Sequence, residues 1–163
     1  CALLPGSRAA DPKPAEPFSG KDLAGWKLKD EKKSKWAAAA VQVDPKNEKE
    51  LSVVPPQTAA APVISLANTK GGGTDIYTEE KYGDLLLEIE FMVPKGSNSG
   101  IYLMGEYEVQ VLDSFGKPDD KLTQGDLGAL YSAAAPKKNA SKKPGEWQKF
   151  VIDFQNKYIQ ITI

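Results

Sequence analysis

Between Asp84 and Val93 the chain reads Asp-Leu-Leu-Leu-Glu-Ile-Glu-Phe-Met-Val, with apolar residues recurring at every second position. A strand alternates its faces with a period of two, so Leu85, Leu87, Ile89, Phe91 and Val93 share one face. That face predicts a core strand, while Glu88 and Glu90 on the other read as solvated charges. Pro94 closes the run, because it cannot donate to a ladder. The same period returns in Tyr107–Leu112 and in shorter stretches: Gly25–Leu28, Ala38–Val43, Leu51–Val54, Asp75–Tyr77, Ser99–Met104, Gly128–Tyr131, Trp147–Phe154 and Tyr158–Ile163. Gly, Pro, Asn and Asp clusters separate them. Ala37–Ala40 is helix-prone but short, and the strand that includes Val41 claims it. Gly71-Gly-Gly73 reads as a flexible turn, since neither Gly-Lys-Ser/Thr nor a helix follows. Many short strands with turn signals at this spacing predict an all-β sandwich or jelly roll.

Composition narrows the function classes. At 163 residues and 40% apolar, the chain holds one domain with a core of its own. Its 21 basic and 22 acidic residues nearly cancel, so no basic field points to nucleic acid or an anionic membrane. Histidine is absent from the sequence, which excludes a His-based triad and leaves acid–base work to carboxylates, Tyr or Lys. The lone Cys cannot form an internal disulfide, and no apolar run reaches the roughly 20 residues that span a bilayer.

The domain boundaries follow from the ends. Residues 1–10, Cys-Ala-Leu-Leu-Pro-Gly-Ser-Arg-Ala-Ala, read as the remnant of a secretory signal with a small-x-small site at Ser7–Ala9, or as a lipoprotein N-terminus lipidated at Cys1. Both readings expect the domain outside the cytoplasm, secreted or periplasmic, and an ordinary terminal segment is the third reading. Residues 11–17 hold three prolines among charges and read as an extended linker. Residues 18–163 form the sandwich domain. Its last stretch, Lys157–Ile163, alternates like a strand and stops without a turn residue, so further C-terminal strands are expected beyond it.

The stretch Gly96–Asp113 carries the chemistry. It opens on a Gly/Ser/Asn turn, and the alternation sets Glu106, Glu108 and Gln110 on one face with Tyr107, Val109 and Val111 on the other. One face is thus fitted to a polar ligand. Neighbours on a strand face stand about 6.6–6.8 Å apart, a spacing at which Glu106 and Glu108 loosely suit a two-carboxylate glycosidase. Lys137–Lys143 reads as an exposed, solvated basic loop, with an anionic sugar as the alternative ligand reading. Asp113, Asp119 and Asp120 offer oxygen ligands for calcium, though not at EF-hand spacing, and no other cofactor is expected.

A family resemblance rests on several motifs in order: Phe18-Ser-Gly-Lys-Asp-Leu-Ala-Gly-Trp26, Tyr82-Gly-Asp84, Asn98-Ser-Gly-Ile-Tyr102, Tyr107-Glu-Val-Gln-Val-Leu-Asp-Ser114, Gly128-Ala-Leu-Tyr131 and Pro144-Gly-Glu-Trp-Gln148. Together they resemble the 3-keto-disaccharide hydrolase family over residues 18–163. The resemblance implies a concanavalin A-like jelly roll similar to laminarinase-type glycoside hydrolases, truncated here at its closing strands. Laminarinase-type sites use Glu-x-Asp-x-x-Glu, and the series Glu106-x-Glu108-x-Gln110 lacks the last acid. Ser19 stands where relatives often carry Asn, and Met104 where many carry Arg, which removes a bidentate contact to sugar.

The implied reaction starts from the acidity that a C3 ketone gives the C2 proton of a glycoside. A carboxylate removes that proton, the C1 oxygen leaves, and water adds to the enone. On this reading Glu108 is the base, flanked by Gln110, and Asp113 is a second catalytic carboxylate at the site's edge. Tyr102 and Tyr131 donate to the enolate oxygen, Lys21 or Gln110 orients sugar hydroxyls, and Trp147 stands at the rim. The alternative is a jelly-roll module that binds carbohydrate without catalysis, because fold does not decide function.

Overall fold

The computed structural model describes residues 14–54, 64–69 and 72–163. The signal-like segment 1–10, the start of the 11–17 linker and Gly71 lie outside the described residues. Ten strands run in chain order among the described residues: β1 (Trp26–Leu28), β2 (Trp36–Asp44), β3 (Asn47–Val53), β4 (Ile64–Asn68), β5 (Ile76–Thr78), β6 (Leu85–Phe91), β7 (Asn98–Leu103), β8 (Tyr107–Leu112), β9 (Gln148–Gln155) and β10 (Tyr158–Thr162). A single 3-10 turn, Asp119–Lys121, is the one helical element among the described residues.

All pairings are antiparallel, in the sheet orders β10-β9-β6, β7-β8, β3-β2-β4 and β1-β5. The core forms where the inward face of β10-β9-β6 meets that of β7-β8. Register sets Leu85, Leu87 and Ile89 of β6 against Phe154, Ile152 and Phe150 of β9. These three β9 side chains are fully buried, and Val93, Leu103, Val109, Val111 and Leu127 join them. Each such side chain withdrawn from water contributes roughly 1.5–3 kcal/mol. Phe91 adds a tilted ring contact to Phe150, with centroids 4.5 Å apart. Tyr107, Ile101, Ile159 and Ile161 pack around the same cluster, half-buried. The outward face of β6 is charged, and its Glu88 pairs with Lys149 across the β6–β9 ladder. The molecule is therefore the all-β jelly-roll sandwich expected from the alternation.

Two elements depart from the strand pattern read in the sequence. Ile64–Asn68 forms β4, which pairs with the Trp36–Ala40 half of β2. Alone it is a short, weakly patterned run, and the long β2 edge supplies its register. Conversely, Gly128–Tyr131 is not a strand. Gly128 takes φ +77°, outside the extended region, and Ala133 donates back to the Leu130 carbonyl, so only isolated bridges remain at Leu130. No helix among the described residues is long and apolar enough to cross a membrane.

Candidate functional site

The site is built on the outward face of the β7–β8 hairpin. Register places Ile101 opposite Val109 and Leu103 opposite Tyr107 on the core side, so the outer side carries Gly100 opposite Gln110 and Tyr102 opposite Glu108. The turn between the strands holds Met104 and Gly105 at φ 54° and 70°. Glu106 donates its N–H to the Leu103 carbonyl and belongs to this turn, ahead of the strand. The face expected for Glu106, Glu108 and Gln110 thus loses its first member, because the turn takes up the residue that alternation assigned to the strand.

Tyr102 and Glu108 form a direct pair, the phenol donating to Glu108 Oε2 at 2.8 Å. That hydrogen bond, then burial, then the charges of Glu108 and Asp75 and the presence of Tyr131, push the Tyr102 phenol above its ordinary value of 10.0. Tyr102 is accordingly held as a neutral O–H. The Glu108 side chain lies across Gly100, where a β-carbon would fall 2.1 Å from Oε1. A glycine inside a strand marks such a close approach, and this was the one signal in the sequence for Gly100.

The loop that follows β8 completes the face. Gln110 N–H donates to Ala129 O, Gly128 N–H donates to Gln110 O, and Tyr131 N–H donates to Glu108 O, all at 2.9 Å. These bonds stitch residues 128–131 to the free edge of β8 and bring Tyr131 beside Glu108. Leu122, Thr123, Gln124, Gly125, Tyr131, Ser132 and Ala135 then enclose an open cleft of about 470 Å³. Tyr131 is half-exposed in its wall. Gln110 lies beneath it, 3% exposed, with Nε2 donating to Gly125 O at 3.1 Å and Oε1 without a donor among the described residues. The strand's polar face is therefore roofed at Gln110, half-buried at Glu108 and exposed at Tyr102, and of these three and Tyr131 only Tyr131 lines the cleft.

A buried acid that sequence reading missed pins this loop. Asp126 is 2% exposed and accepts from Lys117 Nζ at 2.8 and 2.7 Å, from Thr123 N–H at 2.7 Å and from Thr123 Oγ1 at 2.8 Å. Burial alone would raise its pKa. The Lys117 ammonium and the two Thr123 donors outweigh that and hold the carboxyl below its ordinary 3.8. Asn139 ties the next segment in, with Nδ2 donating to the carbonyls of Ser114 and Lys117. No local pattern announces Asp126, since its charge partner lies nine residues away.

The remaining expected site residues fall outside this cluster. Asp113 accepts from the N–H groups of Gly96 and Phe115, at 2.9 and 3.2 Å, and so holds together the turns before β7 and after β8. Trp147 precedes β9, with its carbonyl accepting from Lys142 Nζ, and Lys21 is exposed in the N-terminal turns. Neither lines the cleft beside Tyr131, nor a second one of about 380 Å³ walled by Leu23, Trp26, Lys27, Leu28, Glu31, Tyr77 and Glu79. Asp113, Asp119 and Asp120 do not converge, Asp119 accepting from Asn139 N–H and Asp120 pairing with Lys121. No group of three or more Cys, Asp or Glu side chains placed to hold a metal occurs among the described residues.

Comparison with known proteins agrees with this architecture. Residues 13–163 match the 3-keto-alpha-glucoside-1,2-lyase-like domain. Among solved structures, the chain is similar to a provisionally assigned glycosyl hydrolase from Parabacteroides distasonis ATCC 8503, at 27% identity and a TM-score of 0.52. The match covers 92% of this chain, which spans 66% of the other's length. No curated protein matches the chain in sequence.

Proposed function

Since the chain belongs to the family of 3-keto-alpha-glucoside-1,2-lyase-like domains, we propose that it cleaves 3-keto-glycosides, such as 3-keto-disaccharides, by elimination across C1 and C2 followed by hydration. The observation that carries this reading is the Glu108–Tyr102 pair, a carboxylate and a phenol seated side by side on the strand face, with Tyr131 of the cleft wall bonded to the Glu108 carbonyl. Glu108 takes the C2 proton, whose acidity comes from the neighbouring ketone. The electron pair passes through the enolate into a C1–C2 double bond as the C1–oxygen bond breaks. Tyr102 is placed to give its proton to the departing oxygen, and Tyr131 to donate a hydrogen bond to the enolate oxygen. Tyr102 recovers a proton from the attacking water as its hydroxyl joins C1, and Glu108, whose carboxyl proton has exchanged with solvent at this open face, protonates C2, which restores both groups and releases a 3-keto sugar. Gln110 and Asp126 act from beneath by fixing the cleft wall, and Asp113 by fixing the turns at the hairpin's end.

Glu108→Gln tests this assignment. Loss of a positioned base should lower turnover of a 3-keto-disaccharide by a factor on the order of 10²–10⁴, while the near-isosteric amide leaves sugar affinity almost unchanged. Unaltered turnover in that variant would move the base elsewhere. Sugar binding by the wild type with no turnover of any 3-keto-glycoside would instead favour a carbohydrate-binding module.

A further inference from the structure

We infer that Gly100 is a positioning residue for Glu108, its missing side chain being the seat that holds the carboxylate against Tyr102; this rests on Glu108 serving as the base. Gly100 sits inside β7, directly opposite Gln110 and two residues before Tyr102. Its φ lies outside the left-handed region, so the backbone there would accept an alanine. Space sets the requirement. A β-carbon at Gly100 would stand 2.1 Å from Glu108 Oε1 and 2.8 Å from both Cδ and Cγ, so the whole end of the side chain occupies that volume. Those distances are far inside van der Waals contact, and the carboxylate would have to swing out. Glu108 accepts from Tyr102 with its carboxylate seated in that volume, while its backbone is held by the bond from Tyr131 N–H to its carbonyl. Any side chain at position 100 thus breaks the pair without touching substrate.

Three readouts on the whole chain test the inference. In Gly100→Ala, the Tyr102 phenol should titrate back toward 10.0, because the hydrogen bond that raises it is gone. Ring-labelled tyrosine, with Tyr102→Phe to assign the signal among the 6 tyrosines, reads this directly. Turnover of a 3-keto-disaccharide should fall on the order of 10²-fold, the cost of displacing a reacting group by about 1 Å, with KM little changed. In a Glu108→Gln background, which has already lost the base, Gly100→Ala should lower turnover no further. Stability supplies the third readout and still decides the matter if Gly100→Ala folds poorly. Any fall in Tm caused by Gly100→Ala should disappear in a Glu108→Ala background, where the volume is vacant. A Tyr102 phenol that stays raised in Gly100→Ala, or a Tm loss undiminished in the Glu108→Ala background, would overturn the inference. A displaced Tyr102 titration with unchanged turnover would leave the seat standing and remove Glu108 from the role of base.

Discussion

In the proposed reaction, Tyr102 and Glu108 divide the work that a single histidine does elsewhere. The chain has no histidine, so on this assignment a carboxylate accepts and a phenol gives the proton. Their cross-strand register makes the pair cheap to build, because directly opposed residues on one face meet without loop closure. Tyr102→Phe keeps the ring and deletes the donor. Turnover should drop about 10²–10³-fold, the usual loss when one preorganised donor is removed, and kcat rather than KM should carry it. Steady-state kinetics on a 3-keto-disaccharide would show this, and equal kcat values would place the leaving-group proton on another residue, Tyr131 first.

The loop after β8 is the element that sets a cleft beside the strand face, and Asp126 is its anchor. Folding holds this carboxyl below 3.8, so the unfolded chain binds its proton at higher pH than the folded one does. The stabilisation is complete above the unfolded value and is lost as pH falls through the lowered folded value. Urea midpoints measured from pH 6 downward should therefore decline in the wild type below about pH 4. Asp126→Asn should start about 3 kcal/mol lower and decline less, the low end for a broken buried pair because 35% of the Lys117 side chain remains open to solvent. Parallel declines in the two proteins would assign the acid sensitivity to other groups. This loop is also where the sequence says least. The strands were readable because their information is local: alternation in β6 and β8 names the core face, and a turn signal marks each end. The hold on Asp126 comes from Lys117, Thr123 and Ser114, spread along an irregular segment with no period. Nor does any local rule show that residues 128–131 run beside β8 as single bridges, or that they bury Gln110 while leaving Glu108 at the surface.

At the scale of the molecule, the sandwich gives the site a rigid floor. Val109 and Val111 point into a core closed by Phe150, Ile152 and Phe154, while Glu108 and Gln110, on the same strand, point the other way. A group fixed by a buried strand loses little on binding, which suits a base that must meet one C–H bond. The bond that Glu108 is assigned to break can be observed without kinetics. A 3-keto-disaccharide cleaved in D₂O should yield a 3-keto sugar carrying one solvent deuterium at C2, beyond the exchange seen with Glu108→Gln, because hydration of the C1–C2 double bond returns a solvent proton to that carbon. Released sugar that retains its original C2 hydrogen, with no slowing of turnover by deuterium placed at C2, would contradict elimination and with it the role of Glu108.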